Sequence, residues 1–280
     1  MKLVRYGRQG AERPGMLDAA GRLRDLGAVL SDIDGAALVP DALDALAALD
    51  PAALPEVPGR PRLGPCLGRV GKIVCVGLNY SDHAAEAGMA VPTEPILFLK
   101  ATSAISGPAD PVRIPPGSAK TDHEVELGVV IGRTARRVTE AGALDHVAGY
   151  CIVNDVSERA WQIERLGQWT KGKAADSFCP TGPWLVTADE VPDPQALRLW
   201  LDVDGERRQD GTTANMVFGV ARLVSCISHF MTLEPGDLIA TGTPAGVGMG
   251  MTPQRFLRAG QSMRLGIDGL GEQHLPVVQG

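Results

Sequence analysis

The stretch Thr121–Ile131 (TDHEVELGVVI) constrains this chain more than any other. Side chains alternate between the two faces of a strand. Val125, Leu127, Val129 and Ile131 therefore form one apolar face, and Asp122, Glu124, Glu126 and Gly128 the other. Two carboxylates side by side disfavour each other's ionisation. One relief is water: a half-exposed strand with a solvated acidic face, the default for a single alternating strand. The other is a divalent cation, which holds both carboxylates ionised. A hard cation such as Mg²⁺ takes carboxylate oxygens and water and needs no Cys or His. A third protein ligand is then required. Asp155, at the end of the apolar run Val147–Val153 (VAGYCIV), is the candidate, although Asn154-Asp155 also reads as a helix cap.

The rest of the chain reads as a β-dominated α+β fold. Strands are expected at Met1–Tyr6, Lys72–Gly77, Ile96–Lys100, Val147–Val153, Leu197–Val203 and Leu238–Thr241, with a last hairpin around Asp268-Gly269. Asp204-Gly205 is a hairpin turn signal. Helical spacing appears at Pro40–Leu49, from Ser81 to about Ala87, at Ser157–Leu166 and at Val217–Met231. Strands and helices do not alternate regularly, which disfavours Rossmann and TIM architectures. Pro51–Gly71 is rich in proline and glycine and reads as a linker. The expected division is a small N-terminal domain over residues 1–68 and a main domain over residues 69–280.

Composition narrows the function. The formal charge of −6 on 280 residues, with no basic cluster, argues against a nucleic-acid partner. The five cysteines show no CxxC spacing, so neither a disulfide framework nor a structural zinc site is expected. No apolar run has signal-peptide or membrane-span length, and the expected location is the cytoplasm.

Three further segments carry chemistry-bearing residues. In Asn79–Gly88 (NYSDHAAEAG), His83 and Glu86 share a helix face, as a general base and its orienting carboxylate would; an ordinary surface pair has the same spacing. Neighbouring Ser81, Asp82 and His83 do not suggest a hydrolase triad, because no GxSxG elbow is present. Thr241–Gly248 (TGTPAGVG) offers backbone amides to an anion, or is simply a tight turn. It lacks the GK[ST] ending of a phosphate loop. Gln168–Pro183 reads as a polar loop with solvated Lys171 and Lys173.

Taken in order, VGLNYSDHAAEAG, PILFLKATSAISGP, DHEVELGVVIG, AGYCIVNDVSERAWQ, KAADSFCPTGPW and LIATGTPAGVG resemble the fumarylacetoacetate hydrolase family. The likeness spans roughly residues 72–250. It is nearest to bacterial members described as ureidoglycolate lyases or 2,4-diketo-3-deoxy-L-fuconate hydrolases. The resemblance implies a mixed β-sandwich roll with a small N-terminal domain, and a homodimer. It implies Mg²⁺ or Mn²⁺ on Glu124, Glu126 and Asp155. It gives catalytic roles to His83, Glu86 and Lys173, and substrate contacts to Arg159, Gln162 and Thr243. The substrate class it implies is a small 2-oxo or 2-hydroxy acid. The leading reaction is hydrolytic C–C cleavage of a 2,4-diketo acid. Lysis of ureidoglycolate, decarboxylation of oxaloacetate and non-catalytic binding of a 2-oxo acid are the rivals, and the family also contains isomerases and hydratases.

Overall fold

The long runs of β-branched residues decide the frame. In the computed structural model, which describes residues 1–86 and 88–280, these runs pair into one nine-stranded sheet. From one edge to the other its order is Leu23–Asp25, Arg13–Leu17, Lys2–Tyr6, Leu185–Thr187, Val147–Asn154, Val125–Ile131, Leu238–Ala240, Ile73–Gly77 and Ile96–Lys100. Neighbours run antiparallel, except that Leu238–Ala240 lies parallel to Ile73–Gly77. A second sheet of five strands orders Glu206–Thr212, Arg198–Val203, Ser262–Ile267, Gly271–Gln279 and Val112–Ile114. Its first hairpin turns at Asp204 and Gly205, which have φ of 51° and 80°. Positive φ at both central residues is what a tight right-twisted hairpin requires.

The two sheets and the helix Val220–Phe230 share one core. Leu127 and Ile152 of the large sheet pack in the same cluster as Leu199, Leu201 and Leu265 of the small one and Leu223 and Ile227 of the helix. Strands covered on both faces lose the alternation of a half-solvated sheet. Every residue of Val125–Ile131 and of Val147–Asn154 is accordingly buried.

Several sequence expectations change. The opening stretch is not one continuous strand. Thr121–Asp122 pairs with Ser157–Glu158, the chain leaves the ladder at His123 and Glu124, and a second strand runs from Val125 to Ile131. Its acidic side is not solvated: Asp122, Glu124 and Glu126 are all buried. The expected helix Ser157–Leu166 is divided by this pairing. Only Arg159–Ile163 is helical, and the Glu158 carboxylate caps it by accepting from the Ala160 amide at 3.2 Å. Thr170–Lys173 forms a short helix where a polar loop is expected, and it buries Lys173. The helix Val220–Phe230 starts later than its spacing predicts, because the amides of Val217 and Phe218 bond to Asn79 instead. The helix at His83 spans Ser81–Glu86; Ala87 lies outside the described residues.

The N-terminal segment is joined to the rest by sheet pairing. Lys2 and Leu3 sit opposite Val186 and Leu185, so its three strands extend the large sheet. Pro51–Gly71 is not a loose tether either. Leu63 bridges Tyr6, Glu56 bridges Arg24, and Cys66 and Leu67 are buried.

Candidate active site

Strand register brings the three acids together. In the central antiparallel pair Val153 faces Glu126 and Asn154 faces Val125, so Asp155 falls one step beyond the ladder beside Glu124. The Asp155 amide donates to the Glu124 carbonyl at 2.9 Å. The Glu124 amide donates to Asn154 Oδ1 at 3.1 Å, so Asn154 locks this corner rather than capping a helix. One carboxylate oxygen from each of Glu124, Glu126 and Asp155 lies within 4.8 Å of the others, and all three residues are buried.

The charges around this cluster are uneven. Lys173 Nζ donates to Glu124 Oε2 at 2.7 Å and to Asp155 Oδ2 at 2.8 Å. Arg159 Nη2 lies 2.6 Å from Glu124 Oε1. Lys100 pairs with the other oxygen of Asp155 and donates to the Val156 carbonyl at 3.1 Å. Among the described residues no cation pairs directly with Glu126, which accepts the Gly242 amide at 2.9 Å. Burial pushes the Glu124 carboxyl up, but Lys173 and Arg159 outweigh it and hold the group down at about 2. Burial also pushes Glu126 up, and neighbouring Asp155 and Glu124 push it further, well above the ordinary carboxylate range. Lys173 feels burial against its charge, yet Asp155 and Glu124 keep it raised. The protein thus supplies one carboxylate fewer with positive charge than it gathers. An all-oxygen donor set short of positive charge at one corner fits Mg²⁺ or Mn²⁺.

Above the acids, His83 Nδ1 meets Glu86 Oε2 at 3.1 Å, and Glu86 Oε1 accepts the Gly246 amide at 2.9 Å. Asp82 bonds the His83 backbone amide rather than its ring, which leaves no serine triad. His83, Glu124, Glu126, Arg159, Gln162, Lys173 and Thr243 all line one pocket. Its remaining walls are apolar: Leu78, Met89, Phe98, Ile163, Trp169 and Met249 contribute to them. Phe98 and Trp169 meet edge to face, 5.4 Å between ring centroids, and Lys173 Nζ lies 5.1 Å from the Phe98 ring. Trp169 has its place because residue 77 is glycine: a Cβ there would come within 2.3 Å of the indole.

Among the sequence-expected residues, Asp155 and Glu86 stand just behind this lining, Asp155 against Lys173 and Glu86 against His83. Thr243 is also committed, donating to the Val125 carbonyl at 2.9 Å and accepting from Gln209 Nε2 at 2.7 Å. The glycine-rich segment presents its amides to the protein's own carboxylates. Gly242 donates to Glu126, Gly246 to Glu86, and Gly248 and Met249 to Asp122. Sequence reasoning missed three residues. Lys100 neutralises Asp155, and Gln209 holds Thr243 and the Val125 amide. Asp122 grips Arg159 Nε at 2.8 Å, while Arg159 Nη1 donates to Gln162 Oε1 at 2.9 Å. Only Asp122 carried a signal, its place in the acidic alternation.

Comparison with known proteins bears on the family of the chain. The family described as "Fumarylacetoacetate (FAA) hydrolase C-terminal" matches residues 72–278. A Burkholderia ambifaria protein whose name assigns it provisionally to the hydrolases is 65% identical over 98% of this chain and 97% of its own. Among solved structures, maleylpyruvate hydrolase from Sphingobium sp. SYK-6, in complex with manganese(II) and pyruvate, superimposes with a TM-score of 0.83 at 32% identity, covering all of both chains. A 2-hydroxyhepta-2,4-diene-1,7-dioate isomerase from Mycobacterium marinum gives a TM-score of 0.75 at 34% identity, covering 100% of this chain and 98% of its own. With its fold, its acidic cluster and the match over most of its length, the chain belongs to the fumarylacetoacetate hydrolase family.

Proposed function

We propose that this chain is a divalent-metal-dependent hydrolase that cleaves a C–C bond in an acylpyruvate, a 2,4-diketo acid, giving pyruvate and a carboxylic acid. The observation that carries this reading is the His83–Glu86 pair facing the Glu124–Glu126–Asp155 cluster across one pocket. Binding a 2-oxo acid needs the acids and a cation alone; a buried imidazole backed by a carboxylate adds a base. The manganese and pyruvate held by the Sphingobium maleylpyruvate hydrolase point the same way.

Glu124, Glu126 and Asp155 would hold Mg²⁺ or Mn²⁺, which when bound supplies Lewis acidity to the 2-oxo acid end. Glu86 accepts from Nδ1 of His83 and fixes the ring, so that Nε2 takes the proton from a water attacking the distal carbonyl. Nε2 later returns that proton to the carbon of the departing enolate. Lys173 stays cationic between Glu124 and Asp155 and offsets the negative charge that builds on the leaving fragment. Arg159 fixes the carbonyl end of Gln162, leaving the Gln162 amide nitrogen as a donor to the substrate. The apolar wall of Leu78, Met89, Phe98, Ile163 and Trp169 favours an apolar acyl group over a polyhydroxy one.

The test is a panel of acylpyruvates, a diketo sugar acid, ureidoglycolate, oxaloacetate and a hydroxydienedioate, assayed with and without Mg²⁺ or Mn²⁺. Pyruvate released in step with a carboxylic acid, and only with metal, is expected. Turnover in the presence of chelator, isomerisation with no pyruvate, or release of glyoxylate and urea would each overturn the proposal.

A further inference from the structure

A second cavity, of about 260 Å³, lies between His123, the hairpin residues Val203 and Arg208, and the segment Gln254–Arg258. Its lining includes His123, Arg208, Gln254, Arg255, Arg258 and Gln261. Arg208 is the unusual member. Its side chain is only 6% exposed, yet its guanidinium is poorly served. Among the described residues Nε has no hydrogen-bond partner, and Nη1 points at the Met251 sulfur at 3.2 Å. Nη2 lies 3.2 Å from Glu206 Oε2, but that carboxylate is already taken by the two-pronged grip of Arg255, at 2.6 and 2.9 Å. Two guanidinium groups thus share one carboxylate at the cavity wall. Asp204, the other acid nearby, is occupied by Gln261 Nε2 and the Ser262 amide. His123 Nδ1, on a side chain 1% exposed, has no hydrogen-bond partner among the described residues; its nearest acid, Asp122 Oδ1 at 3.5 Å, is taken by the Gly248 amide. A buried guanidinium left short of acceptors costs free energy unless a ligand supplies them. The planar fork of arginine matches the paired oxygens of a carboxylate or phosphate.

We infer that this cavity is a binding site for a compact oxyanion, held by Arg208 and Arg255 and separate from the acidic cluster of the active site. The site is joined to the catalytic side through one residue, Gly246. His123 Nε2 meets the Gly246 carbonyl at 3.2 Å, and the Gly246 amide donates to Glu86.

Calorimetric titration of the Mg²⁺-loaded protein at constant ionic strength tests the site, with inorganic phosphate in one arm and malonate in the other. One saturable site per chain is expected, and the tighter arm identifies whether the natural ligand presents phosphate or carboxylate oxygens. Arg208→Gln and the half-exposed Arg255→Gln should each weaken binding roughly tenfold or more, the loss of one charge-assisted contact. Glu126→Gln should leave it unchanged. No saturable binding in either arm, parental affinity in both arginine variants, or loss of binding in Glu126→Gln would overturn the inference. The last would place the anion on the metal instead. None of these outcomes depends on the reaction proposed above.

Discussion

Glu126 is the carboxylate that the protein leaves without a cation, and its substitution separates folding from metal binding. Glu126→Gln keeps the shape and the Gly242 contact but removes the like charge beside Asp155 and Glu124. In chelator near neutral pH the variant is expected to melt at or above the parent's temperature, since the parent must either bury an unpaired charge or hold a proton that its unfolded chain would release. Elemental analysis should find that it no longer retains stoichiometric metal. In the metal-free parent the raised carboxyl of Glu126 stays protonated beyond the ordinary carboxylate range, so a cation must displace that proton. Metal affinity should therefore climb with pH until Glu126 ionises unaided, then level off. Titration in buffers of different ionisation heat should count up to one proton released per metal. His83→Ala should retain its metal while kcat falls about 10²- to 10⁴-fold; an unchanged kcat would remove His83 from the chemistry. At this scale the sequence was partly legible. Glu124 and Glu126 announced themselves through strand spacing. Asp155 and His83 were candidates from their place in the chain, each beside a blander reading that the ordered family motifs outweighed, and Lys173 became readable only through those motifs. Lys100 and Gln209 gave no local signal, because their partners, Asp155 and Thr243, are distant in sequence and meet them only after the sheets form.

At the scale of the element, the site depends on where strands stop. The ladder break at His123 and Glu124 turns Asp122 toward Arg159 and leaves Glu124 beside Asp155. Strict alternation cannot foresee it, because the break is set by pairing of Thr121–Asp122 with Ser157–Glu158. The long apolar strands were legible, since a run such as Val147–Val153 has no other stable use than a covered sheet position. The short helix Thr170–Lys173 was not: it has four residues and no periodicity to read, and tertiary packing makes it. The strand Ile73–Gly77 ends at the glycine that admits Trp169. Gly77→Ala should push the indole out of the pocket wall and cost about 1–3 kcal/mol of stability. The change is measurable as a lower denaturation midpoint with a higher KM for apolar acylpyruvates; an unchanged KM would show that Trp169 does not contact the acyl group.

For the whole molecule, the ordering of the large sheet governs which parts of the site hold still. The two strands that carry the acids occupy its middle, with four strands beyond Val147–Asn154 on one side and three beyond Val125–Ile131 on the other. The N-terminal strands, set off in the sequence by the proline-rich segment Pro51–Gly71, supply three of those four. No helix among the described residues is long and apolar enough to cross a membrane. The imidazole, by contrast, rides on a six-residue helix, too short to persist by itself, held down by the Glu86–Gly246 contact. Amide exchange should read this difference. Protons of Leu127, Val129 and Ile152 are expected to exchange only when the molecule unfolds, whereas those of the Ser81–Glu86 helix exchange through local opening, orders of magnitude sooner. The metal-binding half of the site would then report the global stability of the protein, and the base-bearing half the lifetime of the few hydrogen bonds that pin its helix to Asn215 and Gly246.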